Sequence, residues 1–380
     1  KSAIALSIGE PRHHAAPFVA EEINARLENS IGKYPVSKGL QPLRESIAIW
    51  LGQRFSLPEH SITADEHVIP VSGTREALFS FAQAVIDRSC DPLVLIPNPF
   101  YQIYEGATFL AGAEPYYLNT TIDSNLVPDF DTVDDATWKR CQLLYICSPG
   151  NPTGAVISEQ RLQSLIELAD KHDFIIASDE CYSEIYFDEQ QPPTGLLQAA
   201  ANMNRTDYKR CVVFHSLSKR SNVPGLRSGF VAGDKQLLAA FLKYRTYHGC
   251  ATPEFIQHTS TRLWQNESFV IENRQLYREK FSEVVAILSP HINVSIPEAG
   301  FYLWLQTPIN DELFAQQLYQ QQNVTVLPGS YLSRDAGGIN PGQNYVRIAL
   351  VAEKQECLEA ANRLVSYIKT ISGNDDEIDG

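Results

Sequence analysis

The chain has 380 residues, of which 44% are apolar, and its 45 acidic and 31 basic residues give a formal net charge of −14. This size exceeds what one hydrophobic core needs, so we expect two closely associated lobes. The acidic balance, without a basic cluster, argues against binding to nucleic acid or to an anionic membrane surface. No apolar run approaches the roughly 20 residues that span a bilayer.

Short apolar runs alternate with helical patterns between residues 67 and 233. One predicted helix, Glu159–Lys171, places Leu162, Leu165, Ile166 and Ala169 on one face. Near-continuous apolar strands separated by helices are typical of a mainly parallel sheet covered by helices on both faces. The other predicted helix is Arg75–Asp87, and the predicted strands are His67–Val71, Leu93–Pro97, Pro115–Leu118, Leu143–Cys147, Phe174–Ser178, Cys211–His215 and Gly229–Ala232.

After Pro253 the pattern changes to longer helices, predicted at Glu254–Gln265 and Ser268–Leu288. Fewer strands follow, and helices are predicted to pack beside them, which favours a smaller α+β lobe. The predicted strands are Asn293–Ile296, Tyr302–Leu305, Val324–Leu327 and Tyr345–Ala349. Residues 372–380 are acidic and poor in apolar side chains, so we predict a flexible tail there.

The seven cysteines are scattered, without a C-x-x-C pair. Cys147 and Cys211 lie in apolar, strand-like runs, where a small buried hydrophobe is the ordinary interpretation. We therefore predict no metal site. Together with the lack of a visible signal peptide, this cysteine usage predicts a reducing, cytoplasmic setting.

The segment Ser216-Leu217-Ser218-Lys219 follows a predicted strand, and Arg227 comes eight residues after the lysine. A lysine amine forms a Schiff base with an aldehyde cofactor, and the neighbouring hydroxyls and guanidinium suit a phosphate group. By itself such a segment is usually a solvated loop. The functional interpretation therefore depends on the rest of the chain.

Three further segments carry polar groups at predicted strand ends. The motif SPGNPTG presents the Asn151 amide on a loop stiffened by prolines and glycines, and SDECY presents the Asp179 carboxylate beside the Tyr182 phenol. Gly73-Thr74-Arg75 opens a predicted helix, where backbone N–H groups bind phosphate. Taken singly, these are also a turn residue, a helix cap and a helix start. Their joint occurrence at comparable strand ends indicates one shared site.

Taken in chain order, these segments resemble those of the class I/II aminotransferases, pyridoxal-5′-phosphate (PLP) enzymes of the aspartate aminotransferase fold. The resemblance covers essentially the whole chain, and its most specific pieces are SPGNPTG, SDECYSEIY and SLSKRSNVPGLRSG. It implies an α/β PLP-transferase fold with a large, mainly parallel-sheet α/β/α domain and a smaller α+β domain. The implied large domain is 16–278, and the small domain combines 1–15 with 279–371.

The resemblance also implies a role for each site residue. Lys219 holds the cofactor through a Schiff base and carries the proton during catalysis. Asp179 pairs with the pyridine nitrogen, because the ring withdraws electrons well only while that nitrogen is protonated. The remaining roles are as follows: Asn151 and Tyr182 bind the ring oxygen; Ser216, Arg227 and the backbone of Gly73, Thr74 and Arg75 hold the phosphate; Tyr101 stacks on the ring; Tyr34 reaches the phosphate of the neighbouring subunit; and Gly9, Asn151 and Arg347 receive the substrate α-carboxylate. A homodimer with shared active sites follows from the role of Tyr34.

Within the family, three segments are most similar to succinyldiaminopimelate aminotransferases of bacterial lysine synthesis: LSIGEPRHHAAPFV, NPFYQIYEGA and HSLSKRSNVPGLRSGFVAGD. The implied reaction moves an amino group from glutamate to N-succinyl-2-amino-6-oxopimelate, giving N-succinyl-LL-2,6-diaminopimelate and 2-oxoglutarate. Recognition of the succinylated end requires cations or amide donors away from Arg347. The candidates in segments that border the site are Arg12, Lys33, Lys38, Arg220, Arg245 and His248.

Three alternatives share much of this pattern. An aminotransferase for LL-diaminopimelate, aspartate or aromatic amino acids would keep every core residue and differ in substrate. A PLP lyase or synthase of the same fold would release ammonia or another leaving group. A PLP-sensing domain of a transcription regulator would need a DNA-binding module before residue 1, and the acidic balance gives that interpretation no support.

Overall fold

The structure, a computed structural model, describes residues 1–372. The strands, in chain order, are β1 Ile4–Ala5, β2 Val68–Val71, β3 Leu93–Asn98, β4 Glu114–Asn119, β5 Cys141–Cys147, β6 Ile175–Asp179, β7 Cys211–Ser216, β8 Gly229–Gly233, β9 Tyr302–Gln306, β10 Val324–Thr325, β11 Leu327–Pro328 and β12 Tyr345–Ala349. The helices are α1 Phe18–Ser30, α2 Gln41–Arg54, α3 Thr74–Val85, α4 Ile103–Ala111, α5 Asp135–Arg140, α6 Glu159–His172, α7 Leu196–Asn202, α8 Leu217–Arg220, α9 Lys235–His248, α10 Glu254–Trp264, α11 Ser268–Leu288, α12 Asp311–Gln322 and α13 Lys354–Ser372.

A seven-stranded sheet with the order β2-β8-β7-β6-β5-β3-β4 forms the centre of the larger lobe. Its neighbours pair in parallel except at β8, which runs antiparallel to both β2 and β7. All residues of β2, β3, β7 and β8 are buried, because helices cover both faces, and this burial explains why the strands are apolar without alternation. The predicted mainly parallel sheet is confirmed.

Helix α6 shows how the sequence specifies the covering layers. Ser158 caps its first turn by accepting a hydrogen bond from the Arg161 N–H (3.3 Å), and Asp173 ends it in a left-handed conformation (φ 62°). The predicted apolar face of α6 is buried against the sheet. Burying each large aliphatic side chain contributes about 1.5–3 kcal/mol, which fixes this helix to its face of the sheet.

The smaller lobe contains a three-stranded antiparallel sheet of order β11-β12-β9 and a parallel pair of β1 with β10. Helices α11, α12 and α13 contribute to its apolar core. The predicted strand Asn293–Ile296 is wrong: this segment has no regular secondary structure, and Ile296 is exposed. Ile292 and Val294 are only partly buried against the core. The alternating apolar residues of this segment therefore reflect packing at the surface, without pairing to another strand.

The N-terminal segment, residues 1–17, links the two lobes. Leu6 lies in the core of the smaller lobe and Ala16 in a core beside the large sheet. Tyr182 and Ile185, which follow β6, pack into the smaller lobe's core. The proposed boundaries 16–278 and 279–371 remain a prediction.

Ser372 ends α13, and the rest of the predicted tail lies outside the described residues. Among the helices within residues 1–372, none combines the length and apolar character needed to cross a bilayer.

Candidate active site

A cavity of about 750 Å³ lies where the large sheet meets the smaller lobe. Loops after β2, β3, β5, β6 and β7 reach it, as expected for the carboxyl edge of a parallel sheet, and β9 and β12 close it from the other side. Its lining contains these predicted site residues: Gly9, Thr74, Arg75, Tyr101, Asn151, Asp179, Tyr182, Ser216, Lys219, Arg227 and Arg347. Gly73 stands directly behind Arg227, and Tyr34 lies elsewhere on the surface.

Lys219 lies in the one-turn helix α8, whose start is capped by the Ser216 hydroxyl oxygen accepting from the Ser218 N–H (3.1 Å). Its Nζ donates to the Gly9 carbonyl oxygen (2.6 Å) and lies 5.4 Å from the centre of the Phe301 ring. Burial lowers the pKa of the Lys219 amine to about 8. A substantial fraction is therefore neutral near physiological pH, and the neutral amine is the form that attacks an aldehyde.

Asp179 is the last residue of β6 and is buried. Its carboxylate accepts hydrogen bonds from the Tyr104 hydroxyl (2.7 Å) and the Cys181 N–H (3.3 Å). Burial raises the pKa of this carboxyl, and the two donors offset part of that cost. The nearby His215 imidazole lies instead against Glu180, at 3.1 Å between Nε2 and Oε2. A buried carboxylate with neutral donors suits a cationic group such as a protonated pyridine nitrogen.

An anion-binding cradle forms at the start of α3. Gly73, with φ 86°, precedes the helix, and a Cβ there would lie 2.0 Å from a terminal nitrogen of Arg227. Only glycine therefore permits the guanidinium to approach this helix N-terminus. The Ser216 and Ser218 side chains also line the cavity beside Arg227. Helix N–H groups, hydroxyls and a guanidinium together fit a phosphate.

Arg347 projects from β12 and is only 8% exposed. Its Nη1 donates to Asn151 Oδ1 (2.9 Å) and its Nη2 to the Ser7 carbonyl (2.8 Å), both neutral acceptors. Its buried Nε has no protein hydrogen-bond partner in the described chain. The guanidinium thus offers a donor edge and an uncompensated charge, which suit a carboxylate.

Tyr101 and Arg75 both line the cavity and contact each other: the Arg75 Nε donates a hydrogen bond to the Tyr101 hydroxyl (2.6 Å). Tyr34 is 99% exposed, and nothing within one chain connects it to the cavity in the described residues. Its predicted contact with a neighbouring subunit stays a prediction.

Within one chain, the predicted cations for the distal end of the substrate lie outside the cavity lining. Arg220 is buried in an ion pair with Glu267, and Arg245 is buried against Glu76 (2.8 Å). None of Arg12, Lys33, Lys38, Arg220, Arg245 and His248 lines the cavity within the described part of the chain.

Two aromatic residues of the site escaped sequence reasoning. Tyr104, which donates a hydrogen bond to Asp179 (2.7 Å), lies in α4, three residues after Tyr101, which precedes that helix. Tyr302 lies with its hydroxyl 3.1 Å from that of Tyr182, yet 120 residues separate the two in sequence. The closeness of Tyr104 to Tyr101 in the sequence was a signal for Tyr104, whereas Tyr302 had none.

Comparisons with known proteins identify a sequence family and similar folds. Residues 1–364 match the sequence profile of the family described as aminotransferase class I and II. An aminotransferase from Neisseria meningitidis Z2491 is 48% identical, with TM-score 0.91, covering 96% of this chain and 92% of that chain. Aminotransferase AspB from Helicobacter pylori 26695 is 34% identical, with TM-score 0.89, covering 97% and 94%. An LL-diaminopimelate aminotransferase of Nitratidesulfovibrio vulgaris (strain Miyazaki F) is 30% identical over 369 residues, 96% of this chain and 91% of that protein.

Proposed function

Because the chain belongs to the class I and II aminotransferases, we propose that it is a PLP enzyme that transfers an amino group from glutamate to N-succinyl-2-amino-6-oxopimelate. The predicted family and the predicted fold class are confirmed by the profile match and the structural neighbours. The observation that carries the proposed chemistry is one cavity lined by the Lys219 amine, the buried Asp179 carboxylate, a phosphate-compatible cradle and Arg347.

The residues of the chain divide the work of such a reaction among them. PLP, when bound, supplies an electron sink for the charge that develops at the substrate Cα. Asp179 would keep a proton on the ring nitrogen, and Asn151 and Tyr182 would hold the ring oxygen. Lys219, with its lowered pKa, would carry the proton from the substrate Cα to C4′ of the cofactor, because a base works best when its pKa lies near the working pH.

We propose that the substrate is oriented by Arg347 and the residues around it. Arg347 binds the α-carboxylate, with Asn151 and the Gly9 loop beside it. Gly9 also accepts the Lys219 hydrogen bond through its carbonyl oxygen (2.6 Å). This contact supports a carboxylate site adjacent to the catalytic amine, which would bring the Cα–H bond of a bound amino acid near Lys219.

The choice of substrate is supported by the three segments that resemble succinyldiaminopimelate aminotransferases. LL-diaminopimelate is the second candidate, because relatives with 28% and 30% identity carry the name LL-diaminopimelate aminotransferase. A cavity of about 750 Å³ accommodates a ligand of considerable size. Besides Lys219, Arg227 and Arg347, the cavity lining contains the cation Arg75, and we propose it as a contact for a distal carboxylate.

We expect kcat/KM for N-succinyl-LL-diaminopimelate to exceed that for LL-diaminopimelate, acetylornithine, aspartate and phenylalanine by more than tenfold, about 1.4 kcal/mol of transition-state binding. The measurement is steady-state kinetics with 2-oxoglutarate as common acceptor. A higher value for LL-diaminopimelate supports the second candidate, and a higher value for aspartate or phenylalanine contradicts both. Release of ammonia without consumption of 2-oxoglutarate would indicate a lyase.

We further propose a homodimer with shared sites, because Tyr34 is exposed beside Ile31 and Val36, which are also exposed. If Tyr34 bonds the partner's phosphate, Tyr34→Phe should weaken PLP binding by roughly 10- to 100-fold, the worth of a hydrogen bond to a charged group. Mixing Tyr34→Phe subunits with Lys219→Ala subunits should then restore activity at limiting PLP, because each heterodimer contains one native site.

The control for this mixing experiment is Tyr319→Phe, another exposed tyrosine, on α12 of the smaller lobe. It should leave PLP affinity unchanged. When Tyr319→Phe subunits are mixed with Lys219→Ala subunits, the activity per Lys219-containing subunit should also stay unchanged. Sedimentation of the wild type as a monomer at assay concentration would contradict the shared-site arrangement.

A further inference from the structure

Tyr302, on β9, touches three groups that the proposed function treats separately. It is 3% exposed, and its hydroxyl lies 3.1 Å from the Tyr182 hydroxyl. The guanidinium carbon of Arg347 lies 4.4 Å from the centre of its ring. A Cβ on Gly9 would lie 1.9 Å from its hydroxyl oxygen, so glycine at position 9 is what lets the N-terminal segment pass over this phenol.

We propose that Tyr302 is a positioning residue with two separable parts: its hydroxyl donates to Tyr182, and its ring face holds the Arg347 guanidinium in place for the α-carboxylate. The proposal deepens the proposed function and rests on it. It concerns residues of this chain that link the ring-oxygen side of the cavity to the carboxylate side.

The hydroxyl part follows from the donor capacity of two adjacent phenols. Burial raises the pKa of both Tyr182 and Tyr302, so both keep their protons at neutral pH. A phenol has one proton to donate and lone pairs that accept. If Tyr182 gives its proton to the ring oxygen, its own oxygen is left to accept from Tyr302. Linked hydrogen bonds polarise one another, so Tyr302 makes Tyr182 the stronger donor.

The ring part follows from the register of the smaller sheet. Arg347 pairs with Trp304 and Ala349 with Tyr302 across the antiparallel β12–β9 ladder. Tyr302 is therefore a diagonal neighbour of Arg347, within reach of a long side chain. Asn151 and the Ser7 carbonyl hold two nitrogens of the guanidinium, and the Tyr302 ring supports its face. A cation–π contact of this kind corresponds to roughly a 3- to 30-fold effect on binding.

Two substitutions at position 302 separate the parts, and a buried tyrosine nearby serves as control. Tyr302→Phe removes the hydroxyl and keeps the ring, whereas Tyr302→Leu removes both. Tyr277→Phe is the control, because Tyr277 is 0% exposed in the same core, and its hydroxyl has no hydrogen-bond partner among the described residues. For each holoenzyme, the visible absorption band of the cofactor bound to Lys219 is recorded as a function of pH. Calorimetry then measures the binding of glutarate, an unreactive dicarboxylate.

We expect Tyr302→Phe to raise the pH midpoint of the band by a few tenths to about one unit, because a weaker donor stabilises the ring oxygen anion less. Its Kd for glutarate should stay within about twofold of wild type. Tyr302→Leu should shift the midpoint similarly and weaken glutarate binding roughly 3- to 30-fold. Tyr277→Phe should change neither quantity.

The proposal is overturned if both Tyr302 variants keep the wild-type midpoint and the wild-type Kd. Its ring part is overturned if Tyr302→Phe weakens glutarate as much as Tyr302→Leu, because the hydroxyl would then be what holds Arg347. The proposed function itself fails if the wild type shows no absorption band from cofactor bound to Lys219. It also fails if addition of glutamate does not remove that band. That outcome is visible before any variant is compared.

Discussion

Replacing Lys219 with alanine should lower kcat for transamination by at least 10²–10⁴-fold, the usual worth of a positioned proton-transfer group, and should abolish covalent attachment of the cofactor. The reason is geometric as well as chemical: Lys219 Nζ lies against the Gly9 carbonyl inside the cavity, beside the groups that we assign to the cofactor and the carboxylate. PLP should still bind without a covalent bond, because the cradle at Gly73, Ser216 and Arg227 is untouched.

Borohydride reduction followed by peptide mapping measures the attachment directly. The label should appear on the peptide that contains Lys219. Lys280 is the matched control, because burial lowers the pKa of its amine to about 8 as well, yet it bonds the Leu350 and Ala352 carbonyls away from the cavity. Label on Lys280, or no label at all, contradicts the assignment of Lys219.

The pH dependence of cofactor capture gives a second measurement on the same residue. Below pH 8 most of the Lys219 amine is protonated, and the neutral fraction that attacks the aldehyde grows about tenfold per pH unit. The rate of PLP capture by apoprotein should therefore rise up to about pH 8 and level off above it. A rise that continues to pH 10 would show an ordinary exposed amine.

Replacing Asp179 with alanine should lower kcat at saturating PLP by roughly 30- to 5000-fold, equivalent to about 2–5 kcal/mol for removing one partner of a buried charge pair. The loss arises because the ring nitrogen no longer keeps its proton. Asp179→Asn, which preserves shape but not charge, should lose nearly as much, and Asp179→Glu should lose less. Tyr104→Phe removes one donor to the carboxylate (2.7 Å) and should have a small effect.

Thermal stability distinguishes this role from a structural one. Burial raises the pKa of Asp179, so in apoprotein the ionised carboxylate costs folding free energy above its folded-state pKa, and that cost disappears as pH falls through it. Asp179→Asn should therefore leave the Tm of apoprotein unchanged or raise it, while it weakens the stabilisation that PLP provides. Near-native turnover of Asp179→Ala with PLP saturating would contradict the role.

The large sheet could be predicted from the sequence because strands buried on both faces consist of continuous apolar residues, a pattern that is visible locally. Strands such as β3 and β7 are continuous apolar runs, and the polar motifs follow them where a parallel sheet gathers its carboxyl ends. The antiparallel direction of β8 left no such trace. Its residues are as apolar and as buried as those of its neighbours, and strand direction depends on the path of the connecting loop.

What the sequence determined by itself is the chemistry at the strand ends: the Lys219 amine, the Asp179 carboxylate, Asn151 on its proline-rich loop and the glycine that opens α3. Each depends on residue type and on a short stretch of neighbours. Only the tertiary structure decided which distant side chains meet them. It placed Tyr302 against Tyr182 and Arg347, and it buried Arg220 and Arg245 in ion pairs with Glu267 and Glu76 instead of at the substrate. The physical reason is that a charge or a phenol is satisfied by whichever partner the packed cores bring within a few ångströms, and local sequence pattern carries no record of that partner.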